Sequence, residues 1–291
     1  MIIVKLIGGL GNQMFQYALG RHLAIKNNST LKLDLQGFKD YNLRKYDLSC
    51  FNILENIATS NDLSGVILPS NRLIRKVGKC IKVKLNGVQQ IQHIKESTFN
   101  FQPEILNFGD NIYLEGYWQS EKYFSDIKDV IIKEFTVKNR PDPINESFIE
   151  EIAGCESVSI HIRRGDYVSN PTTNKFHGFL GLEYYQRAIK LMLEKVDNPH
   201  FFVFSDDPEW ANKNIKTDAS ITYIKHNYAK NYEDMRLMST CKHQIIANSS
   251  FSWWGAWLNK NPEKIVLAPE KWFNDSSINT DDLIPDSWIR I

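Results

Sequence analysis

"IIVKLIGGLGNQMFQYALG", residues 2–20, passes from an apolar strand through a glycine-rich turn into a helix. With the strand "TLKLDL" (30–35) it forms the β-α-β opening of a Rossmann-like unit. The turn is a near-match to the dinucleotide fingerprint G-x-G-x-x-G/A. Gly9 and Gly11 fit, but Met14 stands in the third position, where close helix–strand packing asks for glycine or alanine. An acid follows near the expected distance, Asp34. One reading is therefore a nicotinamide-dependent oxidoreductase. The other is a ligand-facing turn whose glycines permit tight backbone passage and whose Asn12 and Gln13 amides bind sugar hydroxyls or sit near a reacting centre. Asn12 has a structural alternative, capping the helix.

The second half repeats the strand–helix alternation five times. Strands are predicted at 157–162, 201–205, 220–224, 244–248 and 264–268, with helices at 181–196, 208–215, 231–241 and 250–260 between them. The apolar run "FFVFS" has the composition of a strand buried on both faces. This pattern calls for a parallel sheet with helices on both sides. In the first half, 112–118 reads as a strand and 121–135 as an amphipathic helix. The polar stretch "KNRPDPINE" (138–146) is the best linker. Two α/β domains, 1–140 and 147–291, are expected, with a ligand cleft between them.

Of the 291 residues, 42% are hydrophobic, enough for sizeable cores. The net charge of +1 argues against a general nucleic-acid binder. Four scattered cysteines (50, 80, 155 and 241) form no C-x-x-C, so neither zinc nor a redox pair is signalled. No signal peptide and no apolar stretch of about 18 residues is found, which places the expected site of residence in the cytosol. Residues 72–84 carry six basic residues and no acidic one. They read either as a solvated face or as a peripheral contact with an anionic membrane surface.

Ligands of open α/β sheets bind at the carboxyl ends of the strands. One strand ends in "HIRRGD" (161–166), with His161 and Arg163 on one face and Arg164 on the other. Guanidinium matches phosphate in geometry and charge; an ion pair with Asp166 is the structural alternative. The next strand ends in "SDDP" (205–208). There Asp206 or Asp207 either caps the following helix or accepts from a guanine edge. A third ends in "NSSFSWWGAW" (248–257), with Ser249 and Ser250 at a helix start suited to an anion, to capping or to both. Trp253, Trp254 and Trp257 read mainly as core, with sugar stacking open for one of them. Together these ends describe a nucleoside diphosphate pocket.

Five motifs in order, "GGLGNQMFQYALG", "GYWQSEKYF" (116–124), "HIRRGDYV" (161–168), "FFVFSDDPEW" (201–210) and "NSSFSWWGAWL" (248–258), resemble the α-1,2-fucosyltransferases of glycosyltransferase family 11. The resemblance implies a GT-B fold: two Rossmann-like domains facing each other across a cleft. It implies GDP-β-L-fucose as donor in the C-terminal domain and no metal. It also implies inverting transfer to O2 of a terminal β-galactoside, carried on an oligosaccharide or glycolipid in the first domain. By motif, Arg163 clamps the β-phosphate, His161 lines the donor pocket, Asp206 contacts guanine, and Ser249, Ser250 and Phe251 are donor contacts. Related protein O-fucosyltransferases place the asparagine of a similar G-x-x-G-N-Q turn at the active site, which points to Asn12. For the general base Asp166 is the candidate; holding Arg163 or Arg164 in place is its alternative role. A lipid-linked acceptor would bring the enzyme to the cytosolic face of a membrane. Beside the oxidoreductase, a sugar-binding protein without catalysis is the remaining rival.

Overall fold

The computed structural model describes residues 1–39, 44–67 and 90–291, without the side chains of Asp166, Ser169 and Thr173. It divides into two compact units, Met1–Thr136 and Val137–Ile291. The linker expected at 138–146 is shorter than its composition suggests. Asp142 accepts from the Asn145 N–H at 3.0 Å and Pro143 opens a helix, so two linker residues serve as helix start signals.

The first unit holds a parallel five-stranded sheet of β1 (Ile2–Lys5), β2 (Leu31–Asp34), β3 (Val66–Ile67), β4 (Ile91–Lys95) and β5 (Ile112–Glu115), in the order β2-β1-β5-β4-β3. Helix α1 (Leu10–Lys26) crosses from β1 to β2, and the short α2 (Ser60–Ser64) precedes β3. The close helix–strand approach that the fingerprint assigns to its third glycine occurs here at Gly20. A Cβ at Gly20 would collide with Val4 Cγ2, while Met14 is fully buried. The helix expected over 121–135 starts only at α3 (Lys128–Glu134). Residues 121–127 take two 3₁₀ turns because Phe124, at φ −146°, points its ring into the core beside the buried Tyr123.

The second unit holds a parallel six-stranded sheet: β6 (Glu156–Ile162), β7 (Pro199–Ser205), β8 (Ser220–Ile224), β9 (His243–Ile245), β10 (Val266–Ala268) and β11 (Ile289–Arg290). Its helices are α4 (Pro143–Ala153), α5 (Gly165–Ser169), α6 (Pro171–His177), α7 (Leu182–Lys195), α8 (Pro208–Asn214), α9 (Asn231–Thr240) and α10 (Ser250–Trp257). The strand order β11-β10-β9-β6-β7-β8 explains the apolar runs, because β6 and β7 have neighbours on both sides. Helix α7 lays Tyr184, Tyr185, Ala188, Ile189 and Met192 against Val158, Ile160 and Phe201. Trp253, Trp254 and Trp257 are all core, which removes them as sugar-stacking candidates.

Candidate functional site

The strand order of the second unit reverses between β6 and β9: from β6 the chain adds β7 and β8 on one side, then β9, β10 and β11 on the other. The crevice outside the carboxyl ends of β6 and β9 is therefore the topological switch point, the preferred ligand site of such sheets. On the β6 side stand His161 and Arg163. On the β9 side stands the N-terminus of α10, where free N–H groups and the helix dipole favour an anion.

Register explains which side chains meet. Ile162 lies opposite Ser205, so the next residues, Arg163 and Asp206, leave the sheet side by side. Arg163 Nη1 is 2.8 Å from Asp206 Oδ2, and the Arg164 N–H donates to Asp206 Oδ1 at 2.8 Å. Both carboxylate oxygens thus hold the end of β6, and Gly165 leaves room for them: a Cβ there would sit 2.6 Å from Asp206 Oδ2. Capping falls to Asp207, which accepts from the Trp210 N–H at 3.1 Å. Arg164 turns away, bonded to Asp207 at 3.2 Å, with its guanidinium 4.0 Å from the centre of the Trp210 ring. The two arginines have separate partners, Asp206 and Asp207.

His161 is buried. Burial first, and the neighbouring Arg163 second, lower its pKa from 6.5 to about 3, so the imidazole is neutral. Its ring lies 5.4 Å from Phe251, and Nδ1 has no hydrogen-bond partner among the described residues. Ser249 caps α10, its hydroxyl accepting from the Phe251 N–H at 3.3 Å; Ser250 is the first helical residue. The structure brings together Arg163 with Asp206 and His161 with Phe251 at neighbouring strand ends. Asp166 belongs to α5, but its side chain lies outside the described residues, as does the basic run 72–84. Among the described residues no group of three or more His, Cys, Asp or Glu is placed to hold a metal ion. Likewise, no described helix is long and apolar enough to cross a membrane.

The first unit engages its fingerprint residues internally. Asp34 is buried and accepts from the Tyr113 hydroxyl at 2.7 Å and from the Gln36 N–H at 2.9 Å, so it serves the packing of the unit. Gln13 is fully buried. Its amide donates to Gly8 O and Lys45 O, and its oxygen accepts from the Asp47 N–H, so it ties the turn to residues 45–47 instead of facing a ligand. Asn12 is not the helix cap: that position is Gly9, without a side-chain bond. The Asn12 Oδ1 accepts from Gln119 Nε2 at 2.8 Å. Sequence reasoning missed Glu96, since "IQHIK" was not read as a strand; it also missed Gly165, whose need shows only beside Asp206.

Two Rossmann-like units, each built on a parallel sheet, define a GT-B-type scaffold. The model of Glycosyl transferase family 11 matches residues 66–291, and the chain belongs to that family of glycosyltransferases. It is 38% identical to an Escherichia coli alpha-1,2-colitosyltransferase over all of this chain and 99% of the relative. It is 35% identical to the E. coli O-antigen biosynthesis glycosyltransferase WbnK, over 98% of this chain and 99% of that one. A galactoside alpha-(1,2)-fucosyltransferase 2 of Sus scrofa matches at 26% over 55% of this chain and 49% of its own. Among solved structures, a variant of Arabidopsis thaliana FUT1 in complex with GDP superposes with a TM-score of 0.50 at 11% identity, covering 95% of this chain and 72% of that one.

Proposed function

We propose that this chain transfers L-fucose from GDP-β-L-fucose to O2 of a terminal β-galactoside, with inversion. In this reading the C-terminal domain binds the donor and the N-terminal domain the acceptor. The observation that carries it is the β6/β9 switch point, flanked by Arg163 and the α10 N-terminus. As the bond from fucose C1 to the diphosphate breaks, negative charge grows on the leaving oxygen. A fixed guanidinium and helix N–H groups stabilise that charge, and losing one such donor typically costs about 10²–10³ in rate. Asp206 contributes by aiming Arg163 and holding the end of β6, and its carboxylate oxygens keep acceptor sites for the guanine edge expected of it. Neutral His161 and Phe251 form an apolar wall beside the phosphates. The acceptor hydroxyl gives its proton to a carboxylate, for which Asp166 is the candidate. The acceptor is an oligosaccharide or glycolipid of a surface polysaccharide, assembled on the cytosolic side.

A second reading has its own support, since a relative at 38% identity is named for colitose, which is fucose without the 3-hydroxyl. A site that hydrogen-bonds a hydroxyl rejects the analogue lacking it by about 10⁴-fold or more. Kinetics with GDP-fucose and GDP-colitose, with EDTA and lactose present, decide between them. We expect higher kcat/KM with GDP-fucose and an α-1,2 linkage in the product by NMR. Preference for GDP-colitose overturns the fucosyl assignment, and another linkage overturns transfer to O2.

A further inference from the structure

The turn after β5, "GYWQ" (116–119), buries an aromatic side chain in an unfavourable backbone conformation. Trp118 adopts φ +56°, the left-handed region that costs a bulky residue energy, yet it is fully buried. Three contacts hold it there. Glu96, directly after β4, accepts the Tyr117 N–H at 2.7 Å and the Trp118 N–H at 2.9 Å. Gly116 has no room for a Cβ, which would lie 2.5 Å from Glu96 Cβ and 2.8 Å from Trp118 Cε2. The Trp118 ring meets Tyr123 edge-on at 5.8 Å. Trp118 Nε1, buried, finds no partner among the described residues.

This turn leaves Tyr117 exposed, at 40% accessibility, two residues before Gln119, whose side chain is bonded to Asn12. Its place in the sheet is the second observation. Strands β1 and β5 pair in parallel as neighbours, so the turns at their carboxyl ends, the ligand-binding side of an open α/β sheet, flank one crevice. The β1 turn contributes Asn12 to that crevice and the β5 turn contributes Tyr117 and Gln119. Gln16 fixes the two turns to each other, accepting from Ile7 N–H and donating to Gly116 O, each at 3.0 Å.

We propose that Tyr117, Gln119 and Asn12 form the acceptor-sugar subsite, with Tyr117 stacking on the apolar face of the sugar ring and the two carboxamides reading its hydroxyls. Carboxamides both donate and accept, as do hydroxyls. Glu96 is a positioning residue that acts through the turn. The proposal rests on the glycosyl-transfer reading above.

The test combines lactose binding by calorimetry, with GDP present, and transfer kinetics from GDP-fucose for wild type, Tyr117→Ala, Tyr117→Phe, Gln119→Leu and Glu96→Gln. Tyr117→Ala and Gln119→Leu are expected to weaken lactose binding and raise its KM about tenfold, as loss of one ring or amide contact implies. Tyr117→Phe should keep wild-type affinity. Glu96→Gln should raise the lactose KM with GDP affinity unchanged, a split that general loss of folding would not produce. Lactose binding equal in wild type and all variants overturns the subsite while leaving the proposed function standing. A wild-type enzyme that neither binds nor fucosylates lactose overturns both.

Discussion

Replacing His161 by Phe should remove much of the acid sensitivity of the second unit. The imidazole is buried between the end of β6 and Phe251, and its pKa is lowered from 6.5 to about 3. Because the folded value is depressed, the unfolded chain takes up the proton first. The neutral state is fully favourable above pH 6.5, and stability is lost as pH falls toward 3. Over that interval each tenfold rise in proton concentration favours the unfolded chain by about 1.36 kcal/mol. Between pH 6.5 and 4.5 this one group therefore costs the wild type about 2–3 kcal/mol, and about 5 kcal/mol once pH reaches 3. Phe keeps a ring against Phe251 and cannot ionise. Urea unfolding of both proteins at pH 7 and pH 4.5 isolates this contribution, because the titration of all other groups cancels in the comparison. The wild type should lose about 2–3 kcal/mol more than His161→Phe over that interval. Equal losses would refute a buried neutral histidine beside Arg163.

Three further outcomes follow from the geometry. Gly165→Ala should lower kcat by about 10²-fold and weaken GDP binding with it, because its Cβ displaces Asp206 and with it Arg163; steady-state kinetics and calorimetry read the two effects. Gly20→Ala should destabilise by about 1–3 kcal/mol, against the stabilisation an open helical site would give, since the methyl meets Val4 and Leu31; denaturant midpoints read the sign. Burial pushes the Asp234 carboxyl up to about 6, so ionising it opposes folding, and wild-type stability falls as pH rises from 3.8 to 6. Asp234→Asn keeps an acceptor for Asn227 and should be more stable than wild type at pH 7 by up to about 3 kcal/mol, with no advantage at pH 3.5.

The parallel sheet of the second unit was legible because its strands are central and apolar while its helices carry one-sided patterns, as α7 shows. The ends of those strands were legible for the same reason: a charged string such as "HIRRGD" cannot continue a buried strand. Pairing was not. The β6/β7 register puts Asp206 beside Arg163 and Asp207 beside Arg164, pairs between residues some forty positions apart that local spacing does not reveal. The first unit concealed more. Its strands β3 and β4 are short or polar, and Glu96 gains meaning only when β4 lies next to β5. The glycine turn misled by composition alone: close packing has moved from Met14 to Gly20, and Asp34 serves Tyr113. A buried aromatic at positive φ, such as Trp118, has no sequence signature.

The central claim is that the nucleotide binds at the β6/β9 switch point and not at the glycine turn after β1. Calorimetry with GDP and with NAD, on wild type and Arg163→Ala in the presence of EDTA, tests it most directly. The account predicts GDP binding that collapses in Arg163→Ala, with no binding of NAD to either protein. NAD binding that is insensitive to Arg163 would contradict it and return the nucleotide to the turn at Gly9 and Gly11.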